Sequence, residues 1–437
     1  VPVSYWCEHA WLPEGVADAV RIDVGDGRIT AVTKGAPRAG VVLNGLTIPG
    51  FANGHSHAFH RALRGRTHLG RGTFWTWREG MYALAAKLDP DSYYRLARGV
   101  YAEMVLAGYT SVGEFHYLHH GKDGVRYAEP NAMGLALAAA AEDAGIRLCL
   151  LDTCYLAGGF GKELDPVQRR FGDGDAHAWA ERVAALPESP MSTVGAAVHS
   201  VRAVPGPELP KVAEFAAARP LHVHLSEQRA ENEDCLAFHG RTPTAVLADS
   251  GVLGPASVAV HATHLTDGDM STLSDSGAWA CFCPTTERDL GDGIGPAGLL
   301  ADAGVRLCLG SDSQAVIDPF AETAALELDE RLAGECRGRF GVADLRAIGA
   351  AHAALGFADV GTLTAGAQAD LVTVDLGSPR TAGIRPDGVF FAASAADVTD
   401  VVVAGRQRVK ERVHLGVEWP EAVLAEEIGR LWQCDPP

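Results

Sequence analysis

Eight short apolar runs, at residues 46–52, 110–115, 147–153, 193–198, 220–225, 257–262, 278–283 and 305–309, punctuate the middle of this chain. Longer stretches of helical character separate them, among them the Ala-rich segments 132–144 and 211–218. Strand-like runs alternating with helix-like segments are the signature of repeated βα units, and eight such units close into a barrel. The pattern therefore predicts an α/β fold, a (β/α)8 TIM barrel, with its chemistry at the C-terminal ends of the strands. The flanks read differently. Residues 18–32 alternate with period two around an Asp26-Gly27 hairpin signal, and segments 361–375 and 401–409 return to that character. The expected organisation is a β-sandwich part over 1–47, the barrel over 48–357, and a second sandwich part over 358–437 that ends in an amphipathic helix at 420–433.

Composition excludes several classes of partner. A net charge of −18 over 437 residues argues against nucleic acid and anionic membranes, which require a basic face. An acidic small molecule stays possible, because a local pair of arginines can hold a carboxylate inside an acidic protein. The nine cysteines include no C-x-x-C pair and read as reduced thiols. Cys281 and Cys283, flanking Phe282 in an apolar run, read as strand packing. No signal peptide and no run long enough to span a bilayer is visible, so the expected location is the cytoplasm.

The strand ends carry the chemistry. Run one leads into His55-Ser-His57, run five ends in His222-Val-His224-Leu-Ser-Glu227, run six in His261-Ala-Thr-His264, and run eight is followed by Ser311-Asp312-Ser313. One histidine at a strand end is ordinarily a hydrogen-bonded structural residue, and one Asp after a strand is ordinarily a helix cap. Several imidazoles and a carboxylate at one barrel mouth are better explained by a metal. Residues i and i+2 of a strand share a face, so His55 and His57 can reach one ion together. His224 stands three residues before Glu227 and is assigned to the metal, while His222, deeper in the strand, fills the barrel interior. The expected ligands are His55, His57, His224 and Asp312, a nitrogen-rich set suited to one divalent ion, Zn²⁺ or alternatively Fe²⁺. A bridging lysine on strand four would suggest two metals, and 193–198 contains none. Asp312 and His261 would act on the attacking water and Glu227 would carry a proton to a departing nitrogen.

These motifs resemble the amidohydrolase superfamily, in particular its deaminase branch. Within that branch the chain is similar over nearly its full length to the formimidoylglutamate deiminases. The likeness rests on His55-Ser-His-Ala-Phe-His-Arg-Ala, Phe74-Trp-Thr-Trp-Arg-Glu, Gly113-Glu-Phe-His-Tyr-Leu-His-His, Gly158-Gly-Phe, Gln168-Arg-Arg-Phe, His199-Ser-Val-Arg and His224-Leu-Ser-Glu-Gln. The resemblance implies hydrolysis of N-formimidoyl-L-glutamate to N-formyl-L-glutamate and ammonia, in histidine degradation, by a homodimer. It also implies that Arg78, Tyr117, His199 and Arg202 bind the dicarboxylate substrate. His60 stands where the family pattern has Gln, and Gln314 where it often has His. Two other readings remain to be distinguished: a deaminase of a nucleobase or similar heterocycle, and a non-catalytic metal- or ligand-binding relative.

Overall fold

A computed structural model describes residues 2–67, 72–217 and 219–433. Eight parallel strands form the central sheet: β5 (Phe51–Ser56), β6 (Tyr109–His116), β7 (Arg147–Cys154), β8 (Ser192–Val198), β9 (Leu221–Leu225), β10 (Ser257–His261), β11 (Trp279–Phe282) and β12 (Arg306–Leu309). The other eight strands come from the two chain ends: β1 (Val3–Leu12), β2 (Gly15–Gly25), β3 (Arg28–Thr33), β4 (Val41–Pro49), β13 (Leu371–Val374), β14 (Val398–Val403), β15 (Arg406–Lys410) and β16 (Val413–His414). Their order is β16-β15-β14-β13-β4-β1-β2-β3.

The parallel sheet curls until its edges meet. Asp312 N–H donates to His55 O at 2.9 Å, and His57 N–H donates to Asp312 O at 3.1 Å. Gly310 lies in this seam, where a Cβ would stand 2.7 Å from His55 Cβ and from its carbonyl oxygen. Only glycine lets the two strand ends approach so closely.

The mixed sheet obeys its turn chemistry. Asp26 and Gly27 both have positive φ, 50° and 80°, which a tight hairpin turn requires. The sheet folds back over its own apolar face. Ile29 N–H donates to Ala367 O and Gly366 N–H to Ile29 O, both at 2.8 Å, enclosing Tyr5, Ile22, Leu43, Leu371 and Val402. Its other face, with Leu46, Ile48, Val372 and Val401, joins the barrel's own core.

The apolar run 46–52 serves two sheets and not one strand. Residues up to Pro49 pair with β1 and β13, and β5 begins only at Phe51. Gly50 is the switch: its N–H goes to Asp370 O at 3.1 Å, and an added Cβ would meet Thr110 Oγ1 at 2.3 Å. A continuous hydrophobic run cannot reveal where its backbone changes partners. The expected segment 211–218 is a shorter helix, Leu209–Phe215, and Ala218 lies outside the described residues. The terminal helix spans Pro420–Trp432 and packs on the helix Pro90–Ala107. Cys281 and Cys283 are buried and form no disulfide; Cys281 lies in β11, whereas Cys283 follows it and caps the helix Pro284–Leu290. No helix among the described residues is long and apolar enough to cross a membrane.

One buried ion pair ties the two sheets together. Arg147, at the start of β7, reaches both oxygens of Asp370, at 3.0 and 3.1 Å, and also Gln368 Oε1 at 3.0 Å. Asp370 Oδ1 in turn accepts Ala404 N–H at 2.8 Å. Removing one member of such a pair strands the other charge in the interior. Arg147→Ala should therefore destabilise the protein by about 3–5 kcal/mol. Calorimetry should record a lower thermal midpoint, and an unchanged midpoint would show that the pair does not couple the sheets.

Candidate active site

At the C-terminal ends of the barrel strands, four buried side chains converge. His55 Nε2 lies 3.1 Å from His224 Nε2, and Asp312 Oδ1 lies 3.4 Å from Nε2 of both His55 and His57. The opposite ring nitrogens fix two of the tautomers. His57 Nδ1–H donates to Phe115 O and His224 Nδ1–H to His199 O, each at 2.9 Å. Both rings must then present Nε2 lone pairs to the cluster. Burial holds His57 and His224 well below the ordinary imidazole range, so they are neutral. Burial opposes charge on Asp312 too, but His55, His261 and His57 outweigh it and keep the carboxyl below its usual range. Two imidazole lone pairs, the Nε2 of His55 and one carboxylate, all facing each other, fit a divalent cation.

The supporting shell is equally specific. Glu114 accepts from Ser56 Oγ–H and Ala58 N–H, both at 2.7 Å, on either side of His57. Gln314 Nε2 donates to Ser56 Oγ at 2.9 Å and to Asp312 O at 3.0 Å, while its Oε1 accepts from Ser311 Oγ–H at 2.8 Å. His222 turns away from the cluster, toward Ala354 O at 3.2 Å. Backbone strain concentrates here. Ser226, His261, Ala262, Asp312 and Gln314 all have positive φ, between 42° and 69°, and all follow or end β9, β10 and β12.

A second buried group, His116, His119 and Asp152, has a different character. Arg182 donates to both Asp152 oxygens, at 2.8 and 2.9 Å, and Trp179 Nε1–H adds a third bond at 3.0 Å. A guanidinium already supplies the positive charge there, and its bonds tie β7 to the helix Ala176–Val183.

Beside the first cluster lies an acid–base array. His261 Nε2 is 3.8 Å from Glu227 Oε1 and 3.7 Å from Asp312 Oδ2, and its Nδ1 is 3.3 Å from Glu287 Oε1. Burial raises Glu227 to about 7 even though His261 pulls it down. Burial would lower His261, but Glu227, Glu287 and Asp312 together raise it to about 10.

His57, His60, Arg78, Tyr117, His199, Arg202, His224, Glu227, His261 and Asp312 all line one cleft, with His55 behind its floor. The helix Phe74–Ala85 overhangs it and contributes Phe74, Trp77, Arg78, Met81 and Tyr82, a one-sided set at helical spacing. Arg78 Nε–H donates to Tyr82 Oη at 2.7 Å, and His60 Nε2 is bonded to Tyr117 Oη at 3.0 Å. His199 lies edge-on to Tyr155, with ring centroids 4.4 Å apart. Arg202 Nε–H donates to Glu231 Oε2 at 3.1 Å. The sequence assigns no role to Glu231, Glu287, Tyr82 or Tyr155, and Gln168, there only part of a family motif, donates through Nε2 to both tyrosine hydroxyls at 3.0 Å. Tyr82, four residues after Arg78, was the one among them with a legible spacing signal.

Comparison with known proteins places the chain in a family. A model of the amidohydrolase family matches residues 46–408, and the chain belongs to that family. It is 38% identical to the formimidoylglutamate deiminase of Pseudomonas aeruginosa, over 98% of this chain and 99% of the relative. It is 28% identical to the 5-methylthioadenosine/S-adenosylhomocysteine deaminase of Pelotomaculum thermopropionicum, over 87% and 84% of the two chains. Among solved structures it resembles an amidohydrolase from Brucella melitensis, with a TM-score of 0.91 and 33% identity over 98% of this chain and 99% of that one. It shares its fold with a zinc-bound adenosine deaminase from Xanthomonas campestris, with a TM-score of 0.84 and 23% identity over 98% and 97% of the chains.

If the four-residue cluster holds the metal, Asp312→Asn should sharply reduce the metal content of purified protein. The same change at Asp152 should leave that content near the wild-type value. Elemental analysis of both variants checks this, and a metal content lost only at Asp152 would move the site.

Proposed function

We propose that this chain hydrolyses N-formimidoyl-L-glutamate to N-formyl-L-glutamate and ammonia. The observation that carries the reading is one cleft lined both by two carboxyls, Glu227 and Asp312, and by two guanidiniums, Arg78 and Arg202. The substrate has the matching polarity: an amidinium at one end and two carboxylates at the other. A neutral heterocycle would leave both guanidinium groups without a ligand anion in a largely enclosed site, so the nucleobase reading fits less well. A purely ligand-holding relative has no use for Glu227 and His261 beside the cluster.

His55, His57, His224 and Asp312 would hold one divalent ion, with Zn²⁺ fitting the nitrogen-rich set best and Fe²⁺ second. Such an ion, when bound, lowers the pKa of water and polarises the amidine. The charge of such an ion would oppose the proton that the surrounding carboxyls otherwise hold on His261, so that Nε2 could accept a proton from the attacking water, which Asp312 Oδ2, on the same side, orients. Glu227, held by burial near neutrality, donates a proton to the nitrogen that leaves as ammonia. The C–O bond forms as the C–N bond breaks, and the protons taken from water are returned within the site.

At the other end, Arg202 is held by Glu231 and Arg78 by Tyr82, both presented to the cleft. Tyr117 and His199 add hydrogen-bonding groups for the carboxylates. His60, which burial keeps neutral down to about 3, can accept or donate through Nδ1, the ring nitrogen that has no protein partner among the described residues.

Ammonia release from metal-loaded protein should be selective for N-formimidoyl-L-glutamate over N-formimidoyl-L-aspartate, guanine, cytosine and S-adenosylhomocysteine. Glu227→Gln should lower kcat by about 10²-fold or more while the metal stays bound. Arg202→Ala should instead raise KM by about tenfold, equivalent to about 1.4 kcal/mol of lost binding. Turnover of a nucleobase and not the amidine would refute the substrate, and a fully active Glu227→Gln would refute the proton donor.

A further inference from the structure

Glu287 takes no part in the steps above, yet it holds the second nitrogen of the imidazole that takes the first proton. Its Oε1 lies 3.3 Å from His261 Nδ1. The other ring nitrogen, Nε2, faces the reacting side, 3.8 Å from Glu227 Oε1 and 3.7 Å from Asp312 Oδ2. A neutral imidazole carries one proton, and the hydrogen bond at one nitrogen decides which nitrogen is left as the base. Glu287 is 5% exposed, so water does not compete for that bond.

The carboxylate is itself pinned. The same Oε1 accepts Cys283 N–H at 2.8 Å, where the chain leaves β11 and enters the helix Pro284–Leu290. Main chain therefore fixes the carboxylate, and the carboxylate fixes the ring. His261 needs this support, because its own backbone is strained, with φ of 69°, and the next residue, Ala262, has φ of 47°.

We propose that Glu287 is a positioning residue for the hydrolysis: it holds His261 in the Nδ1–H tautomer and aims Nε2 at the attacking water. The inference rests on the reading that His261 is the water's base. It also explains which substitution the site should tolerate. In Glu287→Gln, Cys283 N–H requires an oxygen at the shared position, so the amide oxygen stays there and still accepts His261 Nδ1–H. In Glu287→Leu no acceptor remains, and the ring is free to protonate on Nε2 and turn.

Two readouts test this on the full-length, metal-loaded protein. Long-range ¹H–¹⁵N spectra of histidine-labelled protein report the tautomer, with the His261 signals identified by their absence in His261→Asn. Wild type and Glu287→Gln should carry the proton on Nδ1, and Glu287→Leu should lose that preference. In parallel, Glu287→Leu should lower kcat by about 10–100-fold with KM and metal content near wild type, while Glu287→Gln stays within about fivefold of wild-type kcat. A wild-type His261 protonated on Nε2, whether alone or together with Nδ1, overturns the assignment. So does a Leu variant with wild-type kcat, or one whose activity falls in step with its metal. Failure of the wild type to turn over the amidine would refute the reaction itself, and the tautomer spectra would still decide the geometry.

Discussion

The structure depends on the seam where β5 meets the end of β12. Two backbone hydrogen bonds there, Asp312 N–H to His55 O and His57 N–H to Asp312 O, close the barrel. The residues that make them are three of the four members of the proposed metal site. Closing the sheet and assembling the cluster are therefore one event. The supporting hydrogen bonds cross the same seam: Asn53 bonds Ser311 through side chain and backbone, at 2.6 and 2.9 Å, and Ser311 bonds Gln314. Left-handed backbone at Asp312 and Gln314 is uphill by about 1–3 kcal/mol for each residue. It persists because this buried network leaves no other way to satisfy its polar atoms.

Charge is organised on the same scale. The protein as a whole is acidic, yet its cleft carries both signs of charge, with carboxyls around His261, Arg78 on the helix Phe74–Ala85 and Arg202 after β8. Each guanidinium has a fixed neighbour that directs it, Tyr82 for Arg78 and Glu231 for Arg202. Glu231 is itself oriented by Ser226 N–H at 3.3 Å, one residue before Glu227. Arg202 is thus tied, through Glu231, to the short turn after β9 that also carries Glu227.

Much of this was legible in the order of residues along the chain. Apolar runs alternating with helical stretches, strand-end histidines and the spacing of Glu227 from His224 are local features, and local features survive in a sequence. The barrel and the meeting of His55, His57, His224 and Asp312 in one cluster follow from them. What escaped reading depends on partners distant in sequence. Nothing in Ile48-Pro49-Gly50-Phe51 announces that the backbone exchanges one sheet for another. Glu231 and Glu287 look like ordinary acidic residues in the first turns of helices, where they also favour the helix dipole. Only the fold brings Glu287 to a histidine 26 residues away. Gln314, set apart by its departure from the family pattern, proves to be a bridge beneath Asp312 that reaches back to Ser56, 258 residues earlier.

The barrel seam would itself form the metal site of the hydrolase. Anomalous diffraction from crystals of the metal-loaded protein, recorded on both sides of the metal's absorption edge, locates the ion. One strong anomalous peak per chain is expected, within bonding distance of His55, His57, His224 and Asp312. A peak beside His116, His119 and Asp152 instead, or a metal-loaded active enzyme with no peak at the seam, would contradict it.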